Sequence, residues 1–382
     1  MTRKNHNSNR FLLITTISGR GTGLFNRPYL MAKQLKALEM DFAVVTFGFP
    51  ITGLGSPVFD IPIGHTLRFG NMPEIMRVSR TLSKIVERVR PDVIIAHQPP
   101  NIIASALGDL SSNVSIVGDL HGLSSLEFKS WGMIAEAHFF RLVEFLCTKV
   151  AEGLTVASPE IRDALISRGV NADKMRVVPN CVDTDEFYPI VDKSALKSKL
   201  GLPSCEIVAF TAPRSLTANV LAIYHLYKVA RLLQPKMPGL RFLILGGGEV
   251  VTPVPPNVQY SGFVDNLNMF LNACDLAIAP YPKVAVCSAA RNKILEYWSC
   301  GLPVISTHEG LRGLGEPSNV PVLVCEDDPD KIAESIATLT NDAARKKELG
   351  QASREFVVRM YDWRRLANVL GDAFSDILSF PA

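Results

Sequence analysis

Residues 291–307 read RNKILEYWSCGLPVIST. A helical stretch with Arg291, Lys293 and Glu296 set among Ile294, Leu295, Tyr297 and Trp298 meets a Gly-Leu-Pro turn and then a short apolar run. That run is too short for a core helix and suits a strand buried on both faces of a parallel sheet. Helix, tight turn and buried strand make the repeating unit of an α/β protein. Glu296 must find partners among its apolar neighbours, because a lone buried charge is costly. A helix opening with two cations and free amide groups suits phosphate, and a carboxylate one turn on suits vicinal hydroxyls. A structural ion pair of Glu296 with Arg291 or Lys293 is the competing reading.

Working outward, the same alternation recurs. Apolar runs at 11–17 (FLLITTI), 42–47, 92–97, 114–120, 153–158 and 175–179 read as strands, with helical patterns between them such as 29–38 and 76–89. Residues 180–205 are polar and carry two Pro and several Asp, which marks a linker. The alternation then restarts at 206–212, 241–247, 258–263, 276–281, 303–307 and 321–326. Two doubly wound α/β domains facing across a cleft are expected. Ligands in such sheets bind outside the carboxyl ends of the strands, at the point where strand order reverses.

Bulk properties narrow the function. With 382 residues, two domains are expected. A formal charge of +3 gives no footprint for nucleic acid. The seven Cys include no CxxC pair and are odd in number, which fits reduced thiols of a cytoplasmic protein rather than a disulfide framework or a zinc site. No run reaches ~18 uninterrupted apolar residues, so no membrane-spanning segment is expected.

Several constellations carry chemistry. SGRGTGLFNR (18–27) follows the first strand, and its glycines let backbone approach a ligand closely. Gly19, Gly21 and Gly23 are spaced G-x-G-x-G, with Leu24 at the third-Gly position of a dinucleotide fingerprint, so a nicotinamide cofactor is not expected. Asp119-Leu120-His121-Gly122 closes a strand, and a His there can hydrogen-bond a sugar hydroxyl. Asp119 is expected beside His121 rather than facing it. His97 is a second strand-end His, although Gln98-Pro99-Pro100 already explains a turn there. Arg214, after the first strand of the second half, places a cation where a diphosphate needs one. Gly246, Gly247 and Gly248 leave room for a base or phosphate. Arg77, Arg80, Lys84 and Arg88 line one helical face, opposite Leu82, Ile85, Val86 and Val89. They form either a solvated face or a stripe for anionic lipid headgroups.

Together these segments resemble the GT-B retaining glycosyltransferases of the glycosyl transferase group 1, or family 4, type. ILEYWSCGLPVIST (294–307) is similar to that family's Glu-containing signature. The block VASPEIRDALISRGVNADKMRVVPNCVDTDEFYP (156–189), with Cys181 where Gly is usual, resembles another family block. NVQYSGFVDNLNMFLNACDLAIAPY (257–281) and REFVVRMYDWRRLANVL (354–370) resemble two more. The resemblance implies a GT-B fold: an acceptor-side domain over 1–188, a closing helix over 361–382 packing back on it, and a nucleotide-sugar domain over 189–360.

It also implies roles. Glu296 would bind the nucleotide ribose, Arg214 and Lys293 would face the diphosphate, and His121 would touch the donor sugar. Gly21 and Gly23 would lie against phosphate or sugar, and the base would sit near Gly246, Gly247, Phe263 and Val264. The motif's first Glu falls on Ser288, and no Lys follows Arg214, so Lys293 is expected to supply that charge. No DxD motif occurs in a suitable loop, and neither metal nor cofactor is expected. The implied reaction moves a sugar from a nucleotide diphosphate sugar to an acceptor hydroxyl of a lipid-linked or polysaccharide glycan precursor. It would run with retention, in the cytoplasm or on the inner membrane face. A nucleotide-sugar epimerase and a catalytically weakened GT-like binding subunit are the alternatives.

Overall fold

The computed structural model describes residues 9–15, 23–47, 53–62, 72–108, 114–212, 217–246, 250–286 and 290–379. The chain divides into two compact units, Met1–Cys181 with Trp363–Ala382, and Val182–Asp362.

The first unit runs β1 (Arg10–Ile14), α1 (Gly23–Ala37), β2 (Asp41–Thr46), β3 (Val58–Asp60), α2 (Met72–Val89), β4 (Val93–His97), α3 (Gln98–Leu107), β5 (Ser115–Leu120), α4 (Ser124–Ser130), α5 (Ile134–Val150), β6 (Gly153–Val156), α6 (Pro159–Ile166) and β7 (Met175–Val177). The strands form one sheet in the order β3-β2-β1-β4-β5-β6-β7, and every pairing is parallel. The apolar runs become strands because they are buried on both faces: Leu12, Leu13 and Ile14 of β1, and Ile94, Ile95 and Ala96 of β4, are fully buried. The edge strand β3, only VFD, is too short to stand out in the sequence. Strand order reverses between β1 and β4, so their carboxyl ends form the crevice where ligands of such sheets bind.

The second unit contains α7 (Lys193–Lys199), β8 (Ile207–Thr211), α8 (Thr217–Leu233), β9 (Arg241–Leu245), β10 (Val258–Gly262), α9 (Leu267–Asn272), β11 (Leu276–Ala279), α10 (Asn292–Ser299), β12 (Val304–Thr307), β13 (Leu323–Cys325), α11 (Pro329–Asn341) and α12 (Ala343–Tyr361). Its parallel sheet has the order β10-β9-β8-β11-β12-β13, reversing between β8 and β11.

The final helix α13 (Trp363–Ser379) belongs to the first unit. Leu366, Leu370, Phe374 and Ile377 recur at helical spacing on its buried face, and Phe374 stacks on Phe11 of β1 with ring centroids 5.6 Å apart. The division between units falls after Cys181, ahead of the 188/189 boundary expected from sequence. The segment beyond Cys181 is tied to the second unit: Val182 bridges Asp362, the Tyr188 amide donates to Asn268, and the Ile190 amide donates to Asn272.

Candidate active site

In the first unit, the reversal of strand order gathers charged and imidazole groups that are far apart in sequence. β4 ends at His97, and β5 carries Asp119 and ends one residue before His121. Parallel pairing sets His97 directly beside Asp119. Arg27, on the helix that follows β1, donates from Nε to Asp119 Oδ2 at 2.9 Å and from Nη2 to Oδ1 at 2.6 Å. Thr155 of β6 donates its hydroxyl to Oδ1 at 2.6 Å. His97 Nδ1 lies 2.8 Å and His121 Nε2 2.5 Å from Asp119 Oδ2. The other Arg27 nitrogen donates to Val178 O and to Asn180 Oδ1. Asp119 and His121 are therefore in contact, not merely side by side. His121 lies beyond the strand end, where the chain bends and lets the ring fold back. Gln98, at φ 69°, takes the left-handed conformation that turns the chain sharply after His97.

The electrostatics follow from this packing. Burial alone would raise the Asp119 carboxyl, but Arg27 above all, then His121 and His97, hold it well below the usual carboxylate range. Burial pushes His121 down to about 4 against the pull of Asp119. Arg27 already neutralises the carboxylate, so a further proton on His121 would be an excess buried charge. A neutral His121 donating Nε2–H to Asp119 keeps its lone pair on Nδ1, by assignment from the hydrogen-bond geometry.

Among the described residues, His97, Asp119 and His121 are the group whose donor atoms come close enough to hold a metal ion. Their separations of 2.5 to 2.9 Å are hydrogen-bond distances. Ligands on a tetrahedral ion with bonds of about 2.0–2.1 Å stand roughly 3.3 Å apart. Arg27 also engages both carboxylate oxygens, so the cluster as built is a proton-sharing network rather than a metal cage.

In the second unit, the corresponding crevice lies at the ends of β8 and β11. Lys293, in the first turn of α10, donates to the Thr211 carbonyl, to Tyr281 Oη at 2.5 Å and to Asn219 Oδ1 at 3.0 Å. Its ammonium also lies 4.5 Å from the Phe210 ring centroid. Tyr281 Oη donates to Asn219 Oδ1 at 2.7 Å, and the Thr211 amide donates to Tyr297 Oη at 2.6 Å. Lys293, Tyr281 and Asn219 thus stand on three elements that meet at the switch point.

Arg291 does something other than the sequence suggests. It is 7% exposed, stacks over Tyr281 at 3.4 Å from the ring centroid, and donates to Ala285 O at 2.7 Å and to Glu309 Oε1 at 3.3 Å. These contacts give it a structural role, and its acidic partner is Glu309 rather than Glu296. Glu296 lies on the buried face of α10, 8% exposed.

Gly246 closes β9 at φ 141°, which a side chain rarely adopts, and its amide donates to Gly262 O at 3.1 Å. Phe263, 63% exposed, and the half-buried Val264 follow β10. Gly23 opens α1 rather than lying in a loop. Gly21, Arg214, Gly247 and Ser288 lie outside the described residues. The sequence alone gives Arg27, Asn219 and Glu309 no role, and it marks Tyr281 only as part of the run-up to 291–307. A charged residue at the end of a Gly-rich loop was the one signal for Arg27.

Two parallel doubly wound sheets, each with polar side chains gathered at its switch point, and a last helix packed on the first sheet are the elements of a GT-B fold. The Glycosyltransferase Family 4 profile matches residues 22–186, and the Glycosyl transferases group 1 profile matches residues 207–342. The chain belongs to the GT-B glycosyltransferases of the group 1/family 4 type. It is 24% identical over 277 residues, 69% of this chain and 70% of the relative, to the UDP-Gal:alpha-D-GlcNAc-diphosphoundecaprenol alpha-1,3-galactosyltransferase of Escherichia coli. The sucrose-phosphate synthase of Thermosynechococcus elongatus superposes with a TM-score of 0.79 at 18% identity, covering 97% of this chain and 99% of that one. HepE of Anabaena, in complex with UDP and glucose, gives 0.73 at 17% identity, covering 96% and 99%.

Proposed function

We propose that this glycosyltransferase moves a sugar from a nucleotide diphosphate sugar to an acceptor hydroxyl of a lipid-linked or polysaccharide glycan precursor, with retention of configuration and without a metal. The observation that carries the donor reading is Lys293, held at the β8/β11 switch point by Thr211, Tyr281 and Asn219. The difficult event is departure of the diphosphate as positive charge develops at the anomeric carbon. A cation already held in place stabilises that leaving group without reorganising during the reaction. Lys293 and Arg214 take this role, and Glu296 takes the ribose hydroxyls. His121, neutral and oriented by Asp119, offers Nδ1 to a sugar hydroxyl.

The acceptor reading draws on the E. coli relative, whose name specifies a diphosphoundecaprenol-linked sugar. No helix among the described residues is long and apolar enough to cross a membrane. A lipid-linked acceptor then calls for surface docking at the cytoplasmic face, and Arg77, Arg80, Lys84 and Arg88, all exposed on α2, suit anionic headgroups.

A thermal-shift panel of UDP, GDP, ADP and their sugars tests the donor. A nucleotide at about 100 times its Kd stabilises the fold by roughly 2.7 kcal/mol. One base is expected to raise the melting temperature, and a flat panel would contradict the reading.

A further inference from the structure

α5 buries one face and leaves the other bare. Ala137, Val143, Glu144, Cys147 and Thr148 face inward. Ile134 (51% exposed), Phe139 (48%), Leu142 (57%), Phe145 (41%) and Leu146 (44%) face outward. These five fall within one arc of the helix about 140° wide and run for about 18 Å along it. Apolar exposure this contiguous on one helix marks an interaction site, whereas scattered exposed side chains do not.

Charge selects the partner. The exposed face of α5 also carries Arg141, Lys149 and His138, while its one exposed acid is Glu136 near the helix start. The other acid, Glu144, is turned inward, accepting from Arg168 at 2.6 Å and from the Ser125 amide at 2.9 Å. Lys149 rests over the Phe145 ring at 5.1 Å, with its stem along apolar surface and its head free to reach outward. Beside the first turn, Trp131 and Phe128 pack edge to face, and Phe128 stacks on Phe140, which extends the apolar surface next to α5. α3 packs against both α2 and α5, so the exposed cations of α2 and the apolar stripe of α5 belong to one helical layer of the first unit.

We infer that the exposed face of α5 is the part of this layer that enters an anionic bilayer, lying in the headgroup plane with Phe139, Leu142 and Phe145 below it and the cations of α5 and α2 at the phosphates. The inference rests on the surface-docking reading above and adds to it a specific apolar anchor. The intact protein is floated with vesicles of phosphatidylglycerol and phosphatidylcholine, and with phosphatidylcholine alone. Three forms are compared: the unaltered chain, Phe139→Gln/Leu142→Gln/Phe145→Gln, and a variant with Arg77, Arg80, Lys84 and Arg88 changed to Gln.

Binding to the anionic vesicles is expected to fall by at least about tenfold in the α5 variant, since three large apolar side chains lose their burial. Gln keeps helix propensity, and an unchanged melting temperature and nucleotide affinity show that the variant is folded. In a separate Leu142→Trp form, tryptophan emission is expected to shift to the blue on adding anionic vesicles. If the α5 variant floats as well as the unaltered chain while the α2 variant does not, the anchor is overturned and charge docking stands. If the unaltered chain does not float, both membrane assignments fail, and nucleotide binding still decides the glycosyltransferase reading. Loss of a dimer in the α5 variant, read by light scattering, would make the face a contact between copies and overturn the inference.

Discussion

His121 Nε2 lies 2.5 Å from Asp119 Oδ2, on a carboxylate already held through both oxygens by Arg27. The strand-end His is therefore one end of a buried chain of charge and not an isolated imidazole. Asp119→Asn leaves the Arg27 guanidinium buried opposite an amide. The expected cost is about 3–5 kcal/mol, since removing one partner of a buried pair strands the other. Arg27→Met/Asp119→Asn is expected to cost less than the sum of the two single changes, a coupling of at least about 1 kcal/mol. Chemical denaturation of the four forms measures it, and strict additivity would show that the pair is not coupled.

The same cluster sets a pH dependence. His121 titrates near 6.5 when unfolded and at about 4 when folded, because burial opposes its proton. The unfolded chain therefore binds more protons between those values, and stability is full above pH 6.5 and lost as pH falls toward 4. The expected loss is on the order of 3 kcal/mol. Burial lowers His225 as well, so that residue adds to the loss in the same direction. His121→Gln is expected to flatten the difference in melting temperature between pH 7 and pH 5. An unchanged difference would assign the acid sensitivity elsewhere.

Gly153 of β6 lies against α13: a Cβ there would fall 2.2 Å from Ile377 Cγ2. That atom is a branch methyl on a stiff side chain, so the helix must shift. Gly153→Ala is expected to destabilise by about 1–3 kcal/mol, and adding Ile377→Ala is expected to return part of the loss. Thermal melts of the three forms check this.

Much of this fold is legible in the sequence, and the reason is physical. A strand buried on both faces is a continuous apolar run, and such runs at 11–17, 92–97 and 276–281 became β1, β4 and β11. The site partners are less legible because they are set by strand order. Arg27 and Asp119 are 92 residues apart, joined only because β1, β4 and β5 end side by side. Likewise Arg291 stands ahead of α10 in extended backbone, so Glu296 inside the helix is not set beside it as helical spacing suggests. Glu309, 18 residues on, is brought to Arg291 by the return of β12.

Arg291→Lys tests that structural role. A lysine keeps the charge but neither the planar stack on Tyr281 nor the fork to Ala285 and Glu309. The expected result is a loss of about 1–3 kcal/mol in stability with nucleotide affinity kept within about threefold. A large loss of affinity in a folded Arg291→Lys protein would return this residue to the phosphate site.

The central claim is that the β8/β11 switch point holds the diphosphate of a nucleotide sugar through Lys293, with Arg214. Calorimetric titration of a nucleoside diphosphate into the intact protein, Lys293→Ala and Arg214→Ala/Lys293→Ala tests it most directly, with a melt to confirm folding. Loss of a charge-assisted contact is expected to weaken binding by about tenfold or more in Lys293→Ala, and further in the double variant. Affinity unchanged in both folded variants would contradict the assignment.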